Sequence, residues 1–156
     1  MSLNIDRIQC LVVEDDKFKM DGIRSFLLDK FGDRISIVEC HALASASAEI
    51  DETKFDLAII DMSIHSHQPE AGAGSPVPLP SGGLDVLFEL NYSGMKTRCI
   101  ILTQYPDIPI EGEPIPVELA AEQILQKFEI GVAGCVRYFE GSQDWRGEVS
   151  ILLEGL

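Results

Sequence analysis

The chain has 156 residues, 46% hydrophobic and 24% charged, the balance of one soluble globular domain and not of a disordered, collagenous or coiled-coil protein. No apolar run approaches the roughly 18 residues that span a bilayer, and the first seven residues lack the apolar core of a signal peptide, so the expected location is cytoplasmic. Acidic residues outnumber basic ones 26 to 12, a formal charge of −14, which argues against nucleic-acid binding and leaves plain solubility or a carboxylate cluster around a divalent cation.

Ile8–Val13 is a short apolar run that ends in Glu14-Asp15-Asp16, the pattern of a buried parallel strand. Asp15 or Asp16 offers an N-cap to a helix with Met20, Ile23 and Leu27 on one face, and Gly32 ends it. Ile35–Glu39 is a second strand, Ala42 to about Ile50 a small-residue helix, and Phe55–Ile60 a third strand ending at Asp61. The loop from Ser63 to Gly83 holds four of the eight prolines and four glycines. It shows no periodicity, and loops this long are usually functional or disordered. Leu84–Leu90 returns to helix. Arg98–Leu102 is a fourth strand, ending at Thr103, and Gln104–Pro116 is a second loop rich in Pro and acid. Val117, Ala120, Ala121, Ile124, Leu125 and Phe128 recur at helical steps. Val132–Phe139 is a fifth strand, and a last helix carries Trp145, Val149, Leu152, Leu153 and Leu156 on one stripe.

Strands that alternate with helices predict parallel pairing through right-handed crossovers. The expected fold is an α/β, doubly wound, five-stranded parallel sheet with helices on both faces. It forms a single domain over residues 1–156, with long loops at about 63–83 and 104–116. Ligands of such sheets bind beyond the carboxyl ends of the strands. Those ends carry Glu14-Asp15-Asp16, Asp61, Thr103 and Tyr138. Carboxylates gathered there repel unless a cation joins them, and Mg²⁺ suits an all-oxygen site that keeps waters. An Asp beside Mg²⁺ can attack a phosphoryl group, and the Thr103 hydroxyl could bind a phosphoryl oxygen.

At this point the chain resembles the receiver domain of two-component response regulators. Leu11-Val-Val-Glu-Asp-Asp16 is similar to the first-strand signature, with Glu14 and Asp15 as the Mg²⁺-binding acids. Leu57-Ala-Ile-Ile-Asp-Met62 is similar to the acceptor strand, with Asp61 as phosphoacceptor and the Ser63 backbone carbonyl as a metal ligand. Ser81-Gly-Gly-Leu-Asp-Val-Leu87 resembles the start of the third helix, Ile100-Ile-Leu-Thr103 the strand with the switch hydroxyl, and Gly131–Val136 the entry to the fifth strand. The resemblance implies a flavodoxin-like strand order of 2-1-3-4-5. It also implies a signalling role without enzyme turnover and a histidine kinase or phosphotransfer protein as donor. A downstream protein would bind the fourth-helix and fifth-strand face or the long loops, and two copies could pair there.

Some residues depart from the family. Tyr138 stands where the family carries Lys, and a phenol supplies no point cation. Arg137 is adjacent but belongs to the opposite face, and Lys17 is a candidate to lean in. Cys135 takes the place of the switch aromatic, Gln104 that of the small residue after the switch Thr, and both flanking loops are longer than usual. These departures leave a second reading open, a degenerate receiver that binds proteins without being phosphorylated. A phosphohydrolase is disfavoured: no D-x-D follows the first strand, since Glu14 stands two residues before Asp16, and Asp61-Met-Ser63 also lacks a second acid.

The remaining features read plainly. Cys10, Cys40, Cys99 and Cys135 form no C-x-x-C pair and read as reduced core thiols. His65 and His67 have no third ligand in view. Ser75–Pro80 is a spacer or a polyproline II face. The six acids between Tyr105 and Ile130 form a solvated face or a dock for a basic partner.

Overall fold

In the computed structural model the described residues are 7–69, 72 and 74–156. Residues 1–6, read above as lacking a signal core, and 70, 71 and 73 of the long loop lie outside them. The chain runs β1 (Ile8–Val13), α1 (Lys17–Phe31), β2 (Ile35–Cys40), α2 (Leu43–Glu52), β3 (Leu57–Ile60), β4 (Ile64–His65), β5 (Pro78–Leu79) and α3 (Gly82–Tyr92), then β6 (Arg98–Thr103), β7 (Asp107–Ile110), β8 (Glu113–Pro116), α4 (Val117–Phe128), β9 (Gly134–Arg137) and α5 (Asp144–Leu152).

The five long strands form one sheet in the order β2-β1-β3-β6-β9, every pair parallel. This is the predicted 2-1-3-4-5 order once the short hairpin strands are set aside. Alternate side chains point to opposite faces, so β1 feeds two cores. Leu11 and Val13 meet residues of α2, α3 and α4. Cys10 and Val12 meet Met20, Ile23 and Leu27 of α1 and Trp145 and Val149 of α5. Both faces being covered, the strands read as unbroken apolar runs. Each fully buried Leu or Ile contributes roughly 1.5–3 kcal/mol.

Helix α1 starts and stops where its sequence directs. The Asp16 side chain caps it by accepting from Lys19 N, and Gly32 closes it at φ 56 with its N–H bonded to Leu28 O. A β-carbon is unfavourable at that φ. None of the four cysteines is bonded. Burial pushes the Cys40 thiol up to about 11 and those of Cys99 and Cys135 to about 12, so they stay as inert core thiols.

The two long loops are more ordered than their composition suggests. Gln104–Pro116 contains the antiparallel pair β7–β8, with Ile108 opposite Ile115 and Pro109 opposite Pro114. Its turn places Glu111 at φ 51 and Gly112 at φ 81, the two positive values that a type I′ hairpin needs. Ile108 and Ile110 are fully buried against the α4 side of the core. The prolines hid this pattern, because Pro argues against a strand unless the strand lies at an edge. Ser75–Pro80 is likewise not a free spacer, since Pro78–Leu79 pairs antiparallel with Ile64–His65. Ser81 Oγ donates to Pro109 O at 3.1 Å and ties the two insertions together.

Candidate functional site

Strands β1 and β3 are neighbours, and the residues that follow them converge. Asp61 N donates to Val13 O at 2.9 Å, and Glu14 N donates to Cys40 O at 3.0 Å. These backbone bonds fix both acids at the rim of the sheet. Ligand oxygens of Glu14, Asp15 and Asp61 all lie within 4.8 Å of one another. Glu14 and Asp61 are buried, and Asp15 is half-exposed. Asp61 Oδ1 accepts from Met62 N at 2.8 Å. Thr103 is fully buried at the end of β6, where its Oγ1 accepts from Tyr105 N at 3.3 Å.

Sequence reasoning missed one member of this group. Lys19 of α1, only 2% exposed, places Nζ 2.9 Å from Glu14 Oε2 and 3.5 Å from Asp61 Oδ1 and donates to Leu102 O at 2.8 Å. Lys17, the candidate named from sequence, is exposed. The spacing held the signal: capped by Asp16, the helix sets Lys19 beside Met20 and Ile23 on its buried face, and Lys17 on the outer one. Arg137 turns to the Phe139 ring, 4.5 Å from its centroid. Gln104 is exposed and lines a recess of about 100 Å³ together with Lys19 and Tyr138.

The other candidates sort plainly. His65 Nδ1 lies 2.8 Å from Asp15 Oδ2, whereas His67 faces Ser66 Oγ and Gly74 O. Both histidines line one pocket with Asp15 and His41, but their ring nitrogens have different partners. Among the described residues the acidic trio is the only group of three or more metal-ligating side chains. Ser63 and Thr103 line a cleft of about 370 Å³ together with Met62, next to Asp61, and with Pro80, Tyr105, Pro106 and Pro109, residues of the two insertions and the segments flanking them.

The donor set fits a hard divalent cation. Three carboxylates gather beside one ammonium that reaches two of them, and Glu14 Oε2 has no partner in hydrogen-bond geometry despite Lys19 lying close. An all-oxygen set with room for water is the Mg²⁺ pattern. Without a cation, desolvation by burial raises both Glu14 and Asp61 above the usual carboxylate range, against the opposing pull of Lys19.

The pH dependence follows in sign. An acid whose folded-state pKa is raised stabilises the fold fully below its unfolded value, and that stability is lost as pH rises through the folded value. In the metal-free protein the contribution of these two acids is therefore lost as pH rises from the acid range toward neutral and beyond. A divalent cation needs both acids ionised and reverses the loss. Mg²⁺ is expected to raise the melting temperature more at about pH 8 than at about pH 6. Thermal melts with Mg²⁺ and with a chelator check this, and equal increments at both pH values would contradict it.

No family model matches the chain. The Detocs response regulatory protein DtcB of Vibrio alginolyticus is 35% identical over 138 residues, covering 87% of this chain and 93% of that protein. A protein of the same name from Enterobacter cloacae is 23% identical over 145 residues, covering 91% and 95%. Among solved structures, a signal receiver domain from Vibrio parahaemolyticus aligns with a TM-score of 0.61 at 20% identity, over 94% of this chain and 89% of that one. That last likeness speaks for the fold alone.

Proposed function

The chain belongs to the response-regulator receiver family, and from this premise we propose that it accepts a phosphoryl group on Asp61 from a phosphohistidine donor in the presence of Mg²⁺. The donor would be a histidine kinase or a phosphotransfer protein. The observation that carries the reading is the meeting of Asp61 with Glu14 and Asp15 within 4.8 Å at the carboxyl edge of the sheet.

An Asp61 carboxylate oxygen attacks phosphorus. The new P–O bond forms as the P–N bond breaks, and that bond's electron pair leaves with the donor imidazole, which departs neutral because its other ring nitrogen already carries a proton. Mg²⁺, held by Glu14, Asp15, Asp61 and the Ser63 carbonyl, supplies positive charge against the phosphoryl oxygens when bound. The Thr103 hydroxyl turns to donate to a phosphoryl oxygen and gives up its contact with Tyr105 N. Cys135 holds the place of the family's switch aromatic, so the Thr103–Tyr105 contact is the route by which the β7–β8 hairpin and α4 sense the new state. A downstream partner then binds the α4–β9 face, where Leu119 and Leu125 are half-exposed, and two copies pairing there would compete for it. The binding-only reading drew on the missing cation at position 138. Lys19 supplies a cation from elsewhere, which removes the main support for that reading.

No described helix is long and apolar enough to cross a membrane.

The test is incubation of the purified chain with a small phosphodonor, with Mg²⁺ or with a chelator. One phosphoryl group, hydroxylamine-labile and mapped to Asp61, is expected with Mg²⁺ alone. Uptake on another residue, or none, would contradict the reading.

A further inference from the structure

Transfer to Asp61 brings a doubly charged phosphoryl group into a pocket that already holds three carboxylates. One divalent cation leaves the total negative, so the site needs a further fixed positive charge in a region from which water is largely excluded. Among the described residues Lys19 is the only buried cation. Its ammonium has three N–H donors and faces three oxygens: Leu102 O at 2.8 Å, Glu14 Oε2 at 2.9 Å and Asp61 Oδ1 at 3.5 Å. It therefore touches the ends of β1, β3 and β6 together. Lys17 is exposed and Arg137 is engaged with Phe139.

Tyr138 completes the arrangement. Its backbone N–H donates to Thr103 O at 2.8 Å, which places it beside the switch residue. Its ring centroid is 5.4 Å from Lys19 Nζ, within the range of cation–π attraction. Behind it stands Trp145 at 5.6 Å, which meets Phe26 at 5.4 Å. A wall of tilted and edge-to-face rings thus limits where the ammonium can go.

We propose that Lys19, carried on α1, is the phosphoryl-binding cation of this receiver, and that Tyr138 is the positioning residue that holds it there. The assignment rests on Asp61 being the acceptor. On transfer the ammonium keeps its proton and exchanges its Asp61 contact for a phosphoryl oxygen. Position 138 and position 19 form a pair: the Tyr138 ring lies 5.4 Å from Lys19 Nζ, so a lysine at 138 starts beside the space that the ammonium now fills.

The experiment measures Mg²⁺-dependent phosphorylation from acetyl phosphate in the parent, in Lys19→Met and in the double variant Lys19→Met/Tyr138→Lys, with thermal melts of each. Lys19→Met is expected to take up phosphate roughly a hundredfold more slowly, and the double variant to recover about tenfold or more of that loss. A Lys19→Met variant as fast as the parent overturns the proposal. So does a folded double variant no faster than Lys19→Met, which would make Lys19 a structural ion-pair partner only. Where a variant fails to fold, the parent decides: its Lys19 side-chain NMR signals are expected to shift when Mg²⁺ and beryllofluoride are added, and unmoved Lys19 signals beside a shifted Asp61 amide overturn the assignment. An inert parent whose Asp61 amide does not shift marks failure of the acceptor reading itself, and the assignment falls with it.

Discussion

Asp61→Asn is expected to abolish phosphoryl uptake, by about a hundredfold or more, because the amide oxygen is a poor nucleophile and no other acid takes its place. Glu14 is engaged by Lys19, and Asp15 is half-exposed and tied to His65. The fold should survive and the metal-free protein should become more stable. Burial already disfavours the ionised Asp61, so removing that charge relieves the crowding of carboxylates. Lys19 keeps its contacts with Glu14 and Leu102 O in the variant. Mg²⁺ should accordingly raise the melting temperature less than in the parent. Intact-mass analysis and chelator-controlled melts check both parts. Retained phosphorylation, or a less stable metal-free variant, would contradict this expectation.

Gly83→Ala is expected to have the largest effect on stability for the smallest chemical change. A β-carbon at this position would stand 2.5 Å from Asp61 O and 2.9 Å from Met62 Cα. Both neighbours are backbone, so the Asp61–Met62 segment itself must move. Gly83 N also donates to Met62 O at 2.8 Å, which pins the start of α3 against that segment. Overpacking of this kind costs about 1–3 kcal/mol. The displacement should also weaken Mg²⁺ binding, because Asp61 and the Ser63 carbonyl lie on the strand end that shifts. Melting and Mg²⁺ titration of the variant give the readout, and a parent-like variant in both would show that the contact is looser than described.

The sheet was legible because its strands are buried on both faces. Ile8–Val13 and Arg98–Thr103 carry no polar alternation to obscure them, and each apolar run gives way to a polar residue, Glu14 and Thr103. The ends of α1 were legible too, since Asp16 and Gly32 act through their own local backbone. The β7–β8 hairpin was not. Its signal was the Glu111-Gly112 turn between Ile108, Ile110 and Ile115, and three prolines masked it. Lys19 escaped for a different reason. A lysine in the first turn of a helix reads as solvent-facing, and only the tertiary approach of Leu102 O, Glu14 and Asp61 gives it acceptors inside the protein. The reading that singled out Lys17 asked which cation lay nearest the acids in sequence. The helical period, which carries residue 19 inward along with Met20, was the better guide.

The convergence of Glu14, Asp15 and Asp61 on one cation, with Asp61 as acceptor, is tested most directly by a crystal structure of the chain grown with Mg²⁺ and beryllofluoride. The account predicts beryllofluoride on the Asp61 carboxylate and Mg²⁺ beside it, held by Glu14 or Asp15 and the Ser63 carbonyl. A cation bound elsewhere, with Asp61 left bare in the presence of both reagents, would contradict it.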